Sequence, residues 1–479
     1  MADNARQDER LYFNGINGST GDYDLPPMTR AELAGLILGE APPDNAGELK
    51  AWYRNYLQYD HRGLVAGLDP SRLDEAGWGV IFAQDLDPAA KEALQPLLDL
   101  RREQAGELYK EYAYLPGETK EEFLERNDAD SFGPADPEYV PYYLLIAGSP
   151  EAVPYAFQYQ LDVQYAVGRI YFEEVEDYGR YAKNVVAAET TGARLPRRAT
   201  FFAVDHDRAT ELSSNYLVQP LAEGVAAGQP AWELTTLLKE QATKANLAAL
   251  LNGDRAPALL FTASHGISFN PDDPRRLRHQ GALVCQDWPG PQKARGANLE
   301  DFYFSADDIE DGAQLPGLMV VHFACYSAGT PDVDDFAFRA SPQNRRPGRP
   351  FVARLPQRLL RSGALAVLGH IDRAWSYSIS YSDARSKRHL GAFKSALKLM
   401  MAGRPIGAAT EYFNQRYAEF STALTDRIDK RRKGNKKISD QELVALWTGN
   451  HDARNYVVVG DPAARLPLAA AGEAAAPGS

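Results

Sequence analysis

The sequence predicts an α/β protein built on a mostly parallel β-sheet flanked by helices. Three observations carry this. Short apolar runs such as WGVIFA (78–83), YYLLIA (142–147) and ALLFT (258–262) have the length and composition of strands buried on both faces. Segments with helical spacing and start signals lie between such runs, which is the order a parallel sheet requires. The alternation continues through most of a chain of 479 residues, longer than one ordinary domain, so two lobes are expected.

Residues 1–70 read as a mainly helical N-terminal segment. FNGINGSTGDYDLPPMT (13–29) is dense in turn residues and is expected to be a loop. TRAELAGLILGE and GELKAWYRNYL have helical spacing, and Thr29 with Glu32 fits a capping box. Residues 71–194 form the smaller α/β lobe, with strands at 78–83, 142–147 and 164–170. After the first of these, Asp87 caps a helix that has Pro88 in its first turn, and Pro96 is expected to kink it. The larger lobe, 195–468, has expected strands at 200–204, 258–262, 318–321, 364–368 and 456–459, with helices around 389–401 and 405–428. DKRRKGNKK (429–437) reads as a solvated loop, and 469–479 as a disordered, low-complexity tail.

A hydrophobic fraction of 44% and a charged fraction of 24% are ordinary for a globular protein. The net charge of −13 argues against nucleic acid or an anionic membrane as partner. Two cysteines, Cys285 and Cys325, cannot build a disulfide framework, which favours a reducing compartment. No apolar run reaches the ~20 residues a membrane span needs, and the first residues lack the order of a signal peptide. A cytoplasmic location is the expectation.

Two expected strands run into reactive residue types. APALLFTASHG ends in His265–Gly266, and LPGLMVVHFAC ends in Cys325. In parallel sheets, catalytic groups gather beyond the carboxyl ends of strands. If these strands are neighbours, an imidazole stands beside a thiol, the pairing that makes a cysteine nucleophilic. Gly266 permits close approach, and its N–H with that of Cys325 can form an oxyanion hole. A lone cysteine after an apolar run is more often a buried filler. Zinc through His322 and Cys325 lacks further ligands at ligand spacing, and FACYS lacks the glycines of a Gly-x-Cys-x-Gly elbow. The paired strand ends favour a Cys–His dyad.

His-Gly after one strand and Ala-Cys-x-Ser after a later one resemble the caspase-like cysteine peptidases, in particular the gingipain and CHAT-type branch. YYLLIAGSPEAVPYAFQYQLDVQYAVGRI (142–170), SGALAVLGHIDRAWSYS (362–378) and NYVVVGDPAARLPL (455–468) extend the likeness over roughly 140–468. The resemblance implies a caspase-like sheet and peptide hydrolysis without a cofactor. It places the general base at His265, the nucleophile at Cys325 and a wall of the substrate cleft at Trp375. It gives Asp205, beyond the first strand of the larger lobe, the role of orienting the histidine, although an acid there is often only a cap. It puts the residue that reads the substrate's P1 side chain in DHDRATEL (205–212). Asp207 there implies a basic P1 and Arg208 an acidic one, the basic reading being preferred. Alternating acids in PDVDDF (331–336) could bind calcium, but without EF-hand spacing a solvated loop is the better expectation and no metal site is expected.

The expected function is a cysteine endopeptidase acting on protein or peptide substrates. An activating protein partner or processing, and a role in bacterial signalling or defence, follow from the resemblance. RASPQNRRPGRP (339–350) is a candidate for self-cleavage after arginine. The alternatives are a catalytically silent scaffold of the same fold and a small-molecule cysteine amidase.

Overall fold

Ten strands make one continuous sheet in the computed structural model, which describes residues 10–39, 63–191, 195–294, 296–332, 348–379, 390–434 and 437–468. In chain order they are β1 (Trp78–Phe82), β2 (Tyr109–Ala113), β3 (Tyr143–Ala147), β4 (Ala166–Ile170), β5 (Arg198–Ala203), β6 (Glu233–Leu238), β7 (Leu259–Ala263), β8 (Met319–Phe323), β9 (Ala366–His370) and β10 (Tyr456–Gly460). Across the sheet the order is β2-β1-β3-β4-β10-β9-β8-β7-β5-β6. Every neighbouring pair is parallel except β9–β10. Strands 1–4 with β10 therefore point one way, and β5–β9 the other. Strands from residues 71–194 and from 195–468 belong to this one sheet and meet where β4 pairs with β10.

The inner strands were legible because they are covered on both faces. β1, β3, β4, β7, β8, β9 and β10 are buried along their whole length. The two strands that the sequence pattern did not expose, β2 (YKEYA) and β6 (ELTTLL), are the sheet edges and lie largely in contact with water. An edge strand keeps polar residues on its open side, so no apolar run marks it.

Helix α1 (Arg30–Gly39) starts with the expected capping box. The Thr29 N–H donates to Glu32 Oε2 at 2.7 Å, and the Glu32 N–H donates to Thr29 Oγ1 at 3.2 Å. The first helix after β1 is divided into α2 (Pro88–Ala93), capped by Asp87, and α3 (Gln95–Ala105), which carries Pro96 in its first turn. The break falls where Pro96 removes a backbone donor. The helix α4 (Val175–Thr190) follows β4. Near the C-terminus α5 (Ile406–Arg432) packs on α6 (Asp440–Arg454). The basic run expected as a loop supplies the last turn of α5, where Lys430, Arg431 and Arg432 face the negative end of the helix dipole.

Residues 10–29 are extended and turn-rich rather than helical. They form a second small core with the C-terminal helices, in which Leu11, Phe13 and Leu25 pack with Trp375, Leu424 and Trp447. The expected helix around 48–57, most of the 331–336 and 339–350 loops, and the tail after 468 lie outside the described residues.

The segment after β10 ties the sheet to α3 and α4. Asp461 accepts from Arg101 Nε at 2.7 Å and from Trp78 Nε1 at 3.0 Å, while Arg101 Nη2 reaches Glu189 Oε1 at 2.7 Å. Arg101 and Asp461 are wholly buried, so neither charge has water to fall back on. Asp461→Ala is expected to lower stability by roughly 3–5 kcal/mol in urea denaturation, the usual loss when one partner of a buried pair is removed.

Candidate active site

The register of the sheet sets the geometry. β5, β7 and β8 are adjacent and parallel, and Ala203, Ala263 and Phe323 lie opposite one another at their carboxyl ends. Two residues beyond Ala263 comes His265, and two residues beyond Phe323 comes Cys325. The strands are therefore neighbours, as the dyad requires. Gly266 makes the approach feasible: a Cβ there would stand 1.8 Å from the Cys325 carbonyl oxygen.

Four residues beyond Ala203 lies Asp207, the N-cap of a short helix, Arg208–Ser213. Its Oδ1 accepts from the Thr210 N–H at 3.0 Å, and its Oδ2 lies 2.8 Å from His265 Nε2. Tyr23 Oη donates to the same Oδ2 at 2.9 Å. Burial opposes the charge on Asp207, but His265 and these donors hold its carboxyl well below the usual carboxylate range. Burial and the neighbouring carboxylate push the Tyr23 phenol up, so it remains a donor. A carboxylate on Nε2 fixes the proton there, leaving the lone pair of neutral imidazole on Nδ1. His265 Nδ1 is buried and makes no hydrogen bond among the described residues. His206 and Trp288 pack near the His265 ring, their centroids 6.2 and 5.9 Å from it. Burial lowers His206 to about 4, so it is neutral at physiological pH.

Cys325 leaves β8 on a sharp turn. Tyr326, the next residue, has φ of 59°, and its N–H donates to the Asp372 carbonyl at 2.9 Å. This left-handed conformation costs a non-glycine residue roughly 1–2 kcal/mol and is paid for by the surrounding packing. The elbow is present without the glycines that would announce it. The Ala374 N–H donates to Cys325 Sγ at 3.3 Å. Burial pushes the Cys325 thiol up, against the opposing pull of the Ala374 N–H and Arg373.

Both reactive groups are covered: Cys325 and His265 each have 0% exposure. The cover is the N-terminal segment. Asn14 forms an antiparallel bridge with Ala374, and Ile16–Asn17 pairs in parallel with Ile267–Ser268. The Ile16 N–H donates to the Gly266 carbonyl at 3.1 Å. Between these contacts lies Gly15, where a Cβ would stand 3.5 Å from Cys325 Sγ and 3.2 Å from Asp24 Cβ. Asp24 accepts from Ser268 Oγ at 2.7 Å and pairs with Arg373 Nη2 at 2.9 Å.

The carboxylate that meets His265 is Asp207, in place of the expected Asp205. Asp205 points to Lys239, 3.4 Å away, and its backbone is clasped by Gln286. Asp207, committed to His265, Tyr23 and Thr210, has no carboxylate oxygen left over for a basic substrate side chain, which removes the ground for a basic P1 preference. Arg208 pairs with Glu211 at 2.9 Å on the outer side of its helix. Trp375 is fully buried; its Nε1 donates to His451 Nδ1 at 2.8 Å and its ring meets Phe13 edge-on at 4.9 Å. It supports the segment that carries Ala374 and does not line an open cleft. His322 bonds Thr262 within the sheet at 2.7 Å. No cluster of three or more metal-ligating side chains occurs among the described residues. Tyr23, Asp24 and Arg373 escaped sequence reading because they come from opposite ends of the chain. Only the density of polar turn residues around Tyr23 and Asp24 hinted that the loop was held by something.

The sequence matches no known family profile and no curated protein. Among solved structures, the chain is similar to a complex of the pro- and mature domains of RgpB from Porphyromonas gingivalis, with 11% identity and a TM-score of 0.46 over 81% of this chain and 80% of that one. A protease matches at 10% identity and a TM-score of 0.47, over 82% and 78% of the two chains. The separase–securin complex of Saccharomyces cerevisiae matches at 10% identity and 0.33, over 67% of this chain and 16% of that one.

Gly266→Ala is expected to force the β7 and β8 ends apart and to destabilise by about 1–3 kcal/mol in urea denaturation, as overpacking does. Gly224→Ala serves as the control: it lies within the helix Gln219–Gly228, and its Cβ would meet only Lys394 Cε, at 3.8 Å. That change is expected to stabilise by about 0.5–1 kcal/mol.

Proposed function

We propose that the protein is a cysteine endopeptidase in which Cys325 is the nucleophile and His265 the general acid–base, oriented by Asp207. The observation that carries this reading is the matched placement of the two groups, each two residues beyond paired strand ends, with a carboxylate on the histidine's Nε2. Nδ1 of His265 takes the thiol proton, and the thiolate adds to a peptide carbonyl. The N–H groups of Gly266 and Cys325 receive the oxyanion. Collapse of the tetrahedral species transfers the Nδ1 proton to the leaving amine and leaves a thioester at Cys325. The imidazole then draws a proton from water, whose oxygen hydrolyses the thioester and restores the thiol. Asp207 stays ionised throughout and stabilises the imidazolium.

A switched role in bacterial signalling or defence belongs to the same proposal. Its support is that a covered thiol suits an enzyme held inactive until a protein partner or processing exposes it. The cover equally favours a second reading, a silent scaffold, which labelling by electrophilic peptide probes separates from the first.

Once the thiol is uncovered, Cys325→Ala is expected to abolish cleavage across a diverse peptide library, whereas Cys285→Ala leaves it intact. His265→Ala is expected to reduce kcat by ~10²–10⁴-fold, the usual worth of general acid–base help. Asp207→Asn is expected to fall between His265→Ala and wild type, because an orienting acid acts through its partner. Asp205→Asn is expected to behave as wild type. Loss of activity in Asp205→Asn but not Asp207→Asn would reverse the assignment.

A further inference from the structure

A cavity in the smaller lobe opens off the same edge of the sheet as Cys325. Val321 of β8 faces Leu368 of β9, Leu368 faces Val458 of β10, and Val458 faces Gly168 of β4. β8 and β4 run in opposite directions. Four residues forward from Val321 therefore lead to Cys325, and three residues back from Gly168 lead to Tyr165, off one edge. Three strand spacings separate them, a lateral distance of about 14 Å.

Tyr165 lines a cavity of about 440 Å³ together with Asp128, Asp130, Phe132, Asp136 and Tyr139. It is 2% exposed, yet its hydroxyl has no hydrogen-bond partner among the described residues. Burial pushes the phenol up, and Tyr112, Asp136 and Asp130 act in the same direction, so the hydroxyl lies within the field of two lining carboxylates. None of the three aspartates forms an ion pair among the described residues. Lys110, whose charge Asp136 supports, is committed elsewhere: its Nζ donates to the Glu138 and Tyr139 carbonyls at 2.7 and 2.6 Å. Phe132 and Tyr139 are 58% and 46% exposed, and neither ring has an aromatic or cationic partner among the described residues. The loop that carries them is fixed at its base, where Ala135 bridges Leu64.

This lining selects its ligand. Open aromatic faces attract a cation, and unpaired carboxylates neutralise it. The carboxylates form no metal-holding group, so the charge that suits them is spread over a larger body. A guanidinium stacks flat on a ring and aims several N–H donors at separated oxygens, the orphan phenol among them. An ammonium, compact and strongly hydrated, matches such a dispersed set less well. The net charge of −13 draws basic partners toward the chain.

Resting on the peptidase reading for the nature of the partner, we propose that this cavity anchors an arginine side chain of the polypeptide substrate. At about 3.3 Å per residue, an extended chain covers the distance to Cys325 with about four or five residues. The arginine thus acts away from the scissile bond and tethers the substrate to the smaller lobe.

Binding is measured on the full-length chain carrying Cys325→Ala, so that no probe is cut, by ligand-detected NMR, which reads weak affinities. The probes are Gly-Ser peptides with one arginine, and the same peptides with citrulline, its uncharged isostere, or lysine in that place. The arginine peptide is expected to bind about tenfold tighter than the citrulline peptide, and tighter than the lysine peptide. Asp130→Asn and Phe132→Ala, both at exposed positions, are each expected to weaken the arginine peptide by about five- to tenfold and to leave the citrulline peptide unchanged. Asp254→Asn, an exposed aspartate of the larger lobe, is the control for net charge and is expected to have no effect. Equal affinity for the arginine and citrulline peptides would overturn the proposal, as would arginine binding that either lining substitution leaves intact. Hydrolysis is followed separately, under conditions in which iodoacetamide labels Cys325, on longer peptides of random sequence around the arginine or citrulline. A lower KM for the arginine series, raised to the citrulline value by Phe132→Ala at unaltered kcat, is expected. Arginine binding by a labelled-competent chain that cleaves no peptide would refute the peptidase reading and uphold the cavity. Cleavage that Cys325→Ala abolishes, with one KM for both series, would overturn the anchoring of substrate and uphold the peptidase.

Discussion

The parallel pairing of β5, β7 and β8, with Ala203, Ala263 and Phe323 in line, is the constraint on which the candidate site depends. From that line the chain needs two residues to reach His265, two to reach Cys325 and four to reach Asp207. A slip of one residue in β7 against β8 would turn its side chains to the opposite face and separate the imidazole from the thiol. The pairing continues past the strands. The Ser264 N–H still donates to the Phe323 carbonyl at 3.1 Å, and Gly266 then passes against the Cys325 backbone, where no side chain fits. His265 and Cys325 thus sit on an extension of the ladder rather than on two free loops.

The single antiparallel seam, β9 against β10, decides which part of the chain can serve the site. Beyond it β1–β4 run the other way, so their carboxyl ends open at the opposite edge; the segment after β3 instead reaches the chain that follows Cys325 through Tyr155, whose Oη donates to the Phe351 carbonyl at 3.2 Å. The contribution of that segment is mechanical. On the active side, the segment after β9 is held from behind by Asp452, wholly buried on α6. This residue lies 3.1 Å from His370 Nε2 and accepts from the Trp375 N–H at 3.1 Å and from Ser378 Oγ at 3.0 Å. Ala374 and Arg373 sit inside that clamp. The N–H on the thiol and the guanidinium beside it are consequently presented by a rigid stretch, as a preorganised site requires.

What could be read from the sequence follows the same physics. Buried central strands announce themselves because both faces must be apolar, and the strand-end placement of His265 and Cys325 came with them. The edge strands β2 and β6 did not, since half of each faces water. Asp205 and Asp207 could not be distinguished, because either carboxylate stands close enough behind β5. Cap geometry chose between them: Asp207 binds the Thr210 N–H and so is turned back toward the sheet, while Asp205 is drawn outward by Lys239. Trp375 was legible as a large residue near Cys325, but its neighbours Phe13 and Trp447 are distant in the chain, Phe13 most of all. Contacts of that kind leave no local period or spacing to read.

Adjacent residues of the N-terminal segment reach the surroundings of both His265 and Cys325. Tyr23 donates to the Asp207 carboxylate that meets His265 Nε2, and Asp24 pairs with Arg373, the residue before Ala374. Gly15, packed on the thiol, is hydrogen-bonded to Asp24. Other contacts of Asp207 and Cys325 are independent of this segment: Asp207 holds the Thr210 donors and His265 Nε2, and Cys325 accepts from the Ala374 N–H. Burial, to which this segment contributes, pushes the Cys325 thiol up, and the Ala374 N–H and Arg373 oppose it.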